Sequence, residues 1–169
     1  MTVFTDASFA PGGDRSRSGV AVFWKGGLVF WYTKRQPPAT LSTPESELGG
    51  SIPGIKFGIG IKELTDQLLP EETHEEGFDM MGDNTATVIT ITKEIISWRS
   101  HHYAYQAGRA KDQVWNQPIK VSHLPGVDLP ADGRTKVLQC TVLRKTRIQL
   151  TLRNGKEDAE DLRLWTRNW

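Results

Sequence analysis

Three observations predict a layered α/β (α+β) fold built on a mixed five-stranded sheet with helices on both faces. The first part of the chain alternates short β-prone runs with turn signals, a helix-start signature follows, and strand-like and helix-like segments then alternate to about Leu138. The resulting order is strand, strand, strand, helix, strand, helix, strand, helix.

Val3 to Ala7 is short, β-prone and carries Asp6 near its end, as an opening strand would. Ser8 to Ser18 is rich in Gly, Pro, Ser and Arg and reads as a turn or loop. Ser18 to Lys25 and Leu28 to Thr33 are strand-like runs separated by Gly26-Gly27, a hairpin signal, so the first three strands are antiparallel. Lys34 to Leu41 is a proline-bearing connection. In Ser42-Thr43-Pro44-Glu45, Ser42 and Glu45 have capping-box spacing and Pro44 suits a first helical turn. Pro53, Gly54, Gly58 and Gly60 weaken the helix that follows, which predicts a broken or bent element with a better second half over Ile61 to Leu69. Phe78 to Gly82 is an apolar strand that stops at Asp83-Asn84. Thr85 to Thr92 favours a strand by composition, because every residue except Ala86 is Thr, Val or Ile. Lys93 to Trp98 and His101 to Trp115 read as helical, Pro118 to Leu124 as a strand, and Leu129 to Leu138 as a short helix. Residues 1–138 form the expected domain, and 139–169 a C-terminal extension, either a further strand and helix or a tail.

Composition narrows the function classes. The 169 residues suffice for one domain with a sizeable core, and 37% hydrophobic with 24% charged residues is a globular rather than a disordered mixture. The longest apolar stretches, such as Gly19 to Trp24, are too short for a membrane span, and the N-terminus lacks the pattern of a signal peptide. A lone Cys140 excludes an internal disulfide framework and fits a reducing, intracellular compartment. The net charge of +1 does not discriminate between partners. Glu71, Glu72, Glu75 and Glu76 read as a solvated loop. The basic groups at Arg15–Arg17, Lys34–Arg35, Arg99–Lys111 and Arg134–Lys136 suit either plain surface or phosphate contact.

Four acids fall in or beside predicted elements: Asp6, Glu47, Asp83 and Asp132. A strand acid, a strand-end acid and a helix acid above them can converge on one point, where like charges repel unless a cation joins them. Magnesium favours such oxygen ligands, and two ions about 3.5–4 Å apart can activate a water and stabilise the leaving oxygen of a phosphodiester. The plainer reading is that a strand-end Asp makes a turn or caps a helix, and Asp83-Asn84 is well placed to cap. Glu45 and Glu47 lie roughly 200° apart around a helix, so only one of them faces a shared site. Asp79 lies about 13 Å along the strand from Asp83, too far to hold the same ion. Asp128 rivals Asp132.

Taken together, Thr5-Asp6-Ala7-Ser8, Asp14-Arg15-Ser16-Arg17-Ser18-Gly19, Lys34-Arg35-Gln36-Pro37, Leu41-Ser42-Thr43-Pro44-Glu45-Ser46-Glu47, Asp83-Asn84, Arg99-Ser100-His101-His102 and Ala131-Asp132-Gly133-Arg134-Thr135-Lys136 resemble the ribonuclease H domain of copia-type LTR retrotransposon polyproteins. The resemblance runs from about Val3 to Leu138 and lies in the order and spacing of the pieces. It implies a ribonuclease H-like fold with Thr85–Thr92 helical, and it selects Glu47 over Glu45 and Asp132 over Asp128. Asp6, Glu47, Asp83 and Asp132 are then the catalytic acids and the ligands of two Mg2+ ions, with Mn2+ as a substitute. The implied reaction is hydrolysis of the RNA strand of an RNA–DNA hybrid, leaving a 5′-phosphate and a 3′-hydroxyl. The implied partner is an upstream reverse transcriptase domain of the same polyprotein, in the cytoplasm or a virus-like particle and with no membrane involved. Many ribonucleases H place a histidine in the loop before the final Asp, but Pro125 to Pro130 contains none.

Ser16, Ser18, Asn84, Arg99, His102 and Lys136 are candidate substrate contacts, since a hybrid offers 2′-hydroxyls in a shallow minor groove and phosphates along its edges. Adjacent histidines on a helix point different ways, so His101 and His102 do not share a metal, and a plain surface role competes with phosphate contact. Trp24, Trp31, Trp98 and Trp115 read as core or sheet-covering aromatics. Two other functions fit the same residues: a decayed domain that binds nucleic acid without cutting it, and a DNA-acting nuclease of the same fold.

Overall fold

The structure, a computed structural model, describes residues 1–10, 15–37, 40–71, 77–93, 103–132 and 135. Five strands form one mixed sheet: β1 Thr2–Ser8, β2 Arg17–Trp24, β3 Gly27–Arg35, β4 Phe78–Gly82 and β5 Ile119–His123. Their order is β3-β2-β1-β4-β5, with β1–β2 and β2–β3 antiparallel and β1–β4 and β4–β5 parallel. The hairpin turn falls one residue earlier than Gly26-Gly27 suggests. Lys25 (φ 49) and Gly26 (φ 77) take the left-handed conformations that a tight two-residue hairpin needs, and Gly27 already pairs with Trp24.

Three helices, α1 Thr43–Leu68, α2 Thr85–Thr92 and α3 Ala104–Asn116, pack on the face of the sheet that carries Val3, Val20 and Val22. Leu48, Ile55, Ile91, Ala107 and Val114 close that core. On the other face Phe4, Ala21 and Phe23 lie beneath Leu129 and Ala131, at the end of a segment that makes a short 3₁₀ turn over Gly126–Asp128. Among the described residues no helix is long and apolar enough to cross a membrane.

Helix α1 is not broken at Pro53; it runs through that residue for 26 residues. Proline has no N–H for the carbonyl four residues earlier, and here the Gly49 carbonyl accepts instead from Ser18 Oγ at 3.2 Å. Of the glycines expected to weaken α1, Gly54 and Gly58 face the sheet, as Gly50 does, while Gly60 is exposed. A Cβ on Gly50 would lie 2.9 Å from the Asp6 carbonyl oxygen, one on Gly54 would collide with Thr5 Cγ2, and one on Gly58 would meet the Phe78 ring at 2.5 Å. Their small size is what lets the helix lie directly on β1 and β4.

Thr85–Thr92 is helical, against its strand-forming composition. Asn84 Oδ1 caps it by accepting from Thr87 N at 3.0 Å, and Thr87 Oγ1 donates to Pro44 O at 3.3 Å, so tertiary contacts override propensity. The expected short helix over Leu129 to Leu138 is not an α-helix where it is described. Asp132 N bonds Leu129 O and Thr135 N bonds Asp132 O, both at 3.2 Å, and these three-residue turns bury Leu129 and Ala131 against the sheet. Most of Lys93–Trp98, the start of His101–Trp115 and the whole 139–169 extension lie outside the described residues.

Candidate active site

Three of the four predicted acids meet at the C-terminal ends of β1 and β4. One carboxylate oxygen from each of Asp6, Glu47 and Asp83 lies within 4.8 Å of the other two. Sheet register brings the two aspartates together: Thr5 pairs with Gly82 in the parallel β1–β4 ladder, so the next residues, Asp6 and Asp83, stand side by side. Opposite Asp6 on the antiparallel side is Gly19, which puts no side chain beside it.

Asp6 shares its face of β1 with Phe4 by strand alternation, and is fully buried. Glu47 comes from the opposite, helix-covered side and is 8% exposed. It reaches the strand end because α1 lies so close, and its Oε2 accepts from Ala7 N at 3.0 Å. The site therefore straddles the sheet, with one acid from each face and Asp83, half-buried, at the rim. Glu45, two residues from Glu47, points elsewhere, its Oε2 accepting from Leu41 N at 2.6 Å just ahead of the Ser42 cap.

The first turns of α1 are held by a buried polar latch. Gln36 Nε2 donates to Ser46 O at 2.8 Å and to Ser18 Oγ at 3.0 Å, and Ser18 in turn donates to Gly49 O. Ser16 is fully buried; its hydroxyl accepts from Ala10 N at 3.2 Å and shares a 2.7 Å bond with the Thr40 hydroxyl. Both serines are thus engaged inside the protein. Asn84 is half-buried at the start of α2, directly after Asp83.

Asp132 is half-buried and does not belong to the close group of three among the described residues. Its turn is nevertheless attached to the site, because the hydroxyl of Thr135 donates to Asp6 Oδ2 and also lies 3.1 Å from Asp132 O. His123 Nε2 is 3.1 Å from Asp83 O and, a carbonyl being an acceptor only, must be the donor. Arg99, His102 and Lys136 lie outside the described residues. Three supporting residues were given no role from the sequence: Thr135 and Gln36, which appear there only within matched segments, and Gly50. For Gly50 the legible signal is a glycine at every fourth position from Gly50 to Gly58, a stripe along a single helix face.

Like charges this close repel, and the donor set is entirely carboxylate oxygen, the chemistry that hard divalent cations such as magnesium prefer. By this measure the residues fit such an ion.

No family model matches the sequence. The chain is 25% identical over 137 residues to the retrovirus-related Pol polyprotein from transposon TNT 1-94 of Nicotiana tabacum, a match that covers 80% of this chain and 10% of the polyprotein. It thus spans about a tenth of that relative's length. Among solved structures, it is similar to LC11-RNase H1 isolated from compost (TM-score 0.59, 14% identity, 79% of this chain and 91% of that one). A second structure of LC11-RNase H1, in complex with an RNA/DNA hybrid, has TM-score 0.56 and 12% identity over 79% and 92% of the two chains. The N-terminal RNase H domain of rv2228c from Mycobacterium tuberculosis gives TM-score 0.58 and 12% identity over 85% and 96%. The chain therefore has the ribonuclease H fold and is a sequence relative of a retrotransposon Pol polyprotein, as the resemblance in its motifs implies.

Proposed function

We propose that the chain is a metal-dependent endonuclease that hydrolyses the RNA strand of RNA–DNA hybrids, as the ribonuclease H part of a copia-type retrotransposon reverse transcriptase. The observation that carries this reading is the meeting of Asp6, Glu47 and Asp83 within 4.8 Å at the ends of two parallel strands. The hybrid bound by LC11-RNase H1 and the Pol polyprotein relative support the substrate class and the polyprotein setting. In that setting residues 1–138 are the nuclease domain, an upstream reverse transcriptase domain supplies the hybrid, and the work is done in the cytoplasm or a virus-like particle.

Asp6, Glu47 and Asp83 would hold Mg2+, or Mn2+ in its place, and Asp132, on the adjoining turn, would be the fourth ligand of a two-ion site. When bound, such ions supply Lewis acidity, polarising the attacking water and neutralising charge on the phosphodiester. The rest of the work belongs to the side chains. Glu47 is aimed by its bond from Ala7 N, and Asp83 by the strand end and the capped helix behind it. Asn84 spends its carbonyl oxygen on the α2 cap, which leaves its amide hydrogens for a 2′-hydroxyl or phosphate oxygen. Ser16 and Ser18 support the strand ends from within, while Arg99 and Lys136 would offer cations, and His102 a ring N–H, to phosphates.

The test is cleavage of an end-labelled RNA–DNA hybrid with and without Mg2+, beside the Asp83→Asn variant and duplex DNA as an alternative substrate. Metal-dependent cleavage of the RNA strand by the wild type alone is expected. Binding of the hybrid without any metal-dependent cut, or preference for duplex DNA, overturns the proposal.

A further inference from the structure

We infer that Thr135 is a positioning residue for the acidic site, acting through Asp6; the inference rests on the metal-site reading above. Asp6 is fully buried, and its side chain leaves β1 on the Phe4 face, away from the helices. On that face the Thr135 hydroxyl, 129 residues away in sequence and 7% exposed, donates to Asp6 Oδ2. A hydroxyl carries one proton. The Asp132 carbonyl, 3.1 Å away, is a rival acceptor that also accepts from Thr135 N at 3.2 Å, but a charged carboxylate is the stronger acceptor for the single proton.

The arrangement does two things at once. It fixes the rotamer of Asp6 by engaging one carboxylate oxygen, and it ties the turn that carries Asp132 to the end of β1. The close helix packing at Gly50 and the bond from Ala7 N set Glu47 from one face; Thr135 sets Asp6 from the other. Partners of this kind, one bond removed from a metal, orient its ligands and strongly affect its affinity.

The decisive comparison is between Thr135→Val, which keeps the shape and loses the proton, and Thr135→Ser, which keeps the proton. Calorimetric titration of the folded proteins with Mn2+ is expected to show Thr135→Val weakened by about tenfold or more and Thr135→Ser close to the wild type. Wild-type affinity in a folded Thr135→Val overturns the inference. A metal-free double-mutant cycle in thermal unfolding, pairing Thr135→Val with Asp6→Ala, separates this inference from the function on which it rests. Should the wild type bind no divalent ion at all, the nuclease reading falls while non-additive effects in the cycle still support the Thr135–Asp6 link. Additive effects overturn the link, whatever the metal result.

Discussion

Gly50→Ala places a methyl group 2.9 Å from the carbonyl oxygen of Asp6 and 3.2 Å from the Ala7 Cβ, both on a buried central strand. Ordinary van der Waals contact begins near 3.4 Å, so helix and strand must part by about 0.5 Å, the whole positional tolerance of a functional constellation. Glu47 sits one turn earlier on the same side of α1, and its 3.0 Å bond to Ala7 N spans the gap that would open. Overpacking costs about 1–3 kcal/mol, and the better helix propensity of alanine offsets about 1 kcal/mol, so the net loss of stability is about 0–2 kcal/mol. The variant is therefore expected to fold while its affinity for Mn2+ or Mg2+ falls by about tenfold, as a misplaced ligand would cause. Calorimetric titration alongside thermal unfolding measures both quantities. Gly60→Ala is the matched control: it lies in the same helix, is exposed and has nothing within 4 Å of the new Cβ, so it should gain up to about 1 kcal/mol and bind metal normally. Unchanged affinity in Gly50→Ala, or an equal loss in Gly60→Ala, refutes the idea that close helix–strand contact sets the site.

Three further outcomes are expected. Saturating Mg2+ should stabilise the wild type by about 2.7 kcal/mol at a hundred times Kd, and Asp83→Asn should abolish that gain while making the metal-free protein more stable; thermal scans with and without the ion decide it. Ser18→Ala should lose about 1–3 kcal/mol in urea unfolding, because the Gly49 carbonyl above Pro53 and the Gln36 amide both lose their partner, and a loss indistinguishable from zero would dissolve the latch. Asn84→Ala should lose about 1 kcal/mol through the missing α2 cap and also weaken hybrid binding; a loss of stability without any loss of binding removes Asn84 from the substrate contacts.

Much of the fold was legible because its signals are local. The three-strand opening, the Ser42 cap and the strand ending at Asp83 all follow from turn chemistry and short-range pattern, and the structure places them within a residue or two. Where local preference and tertiary packing disagree, the sequence misleads. Thr85–Thr92 looks like a strand because β-branched residues prefer one, yet a cap and a docking surface on α1 make it helical. Pro53 and the neighbouring glycines look like helix breakers because propensity describes an isolated helix. They lose that meaning when Ser18 meets the freed carbonyl and β1 presses against the glycine face. For the site, motif order selected Asp6, Glu47 and Asp83 and included Thr135 in the closing Ala131–Lys136 segment, but nothing local says what the Thr135 hydroxyl touches. Its role depends on a contact across 129 positions of sequence, which only the folded chain displays.

The parallel pairing of Thr5 with Gly82 works as an alignment gauge between two segments far apart in the chain. A slip of one residue would carry Asp83 along the strand by about 3.3 Å and turn alternate side chains to the opposite face. Changes of length between residue 68 and residue 78 leave that gauge untouched, whereas one residue inserted within β4 resets it. The site is accordingly more sensitive to the spacing inside two short strands than to the length of the connection between α1 and β4.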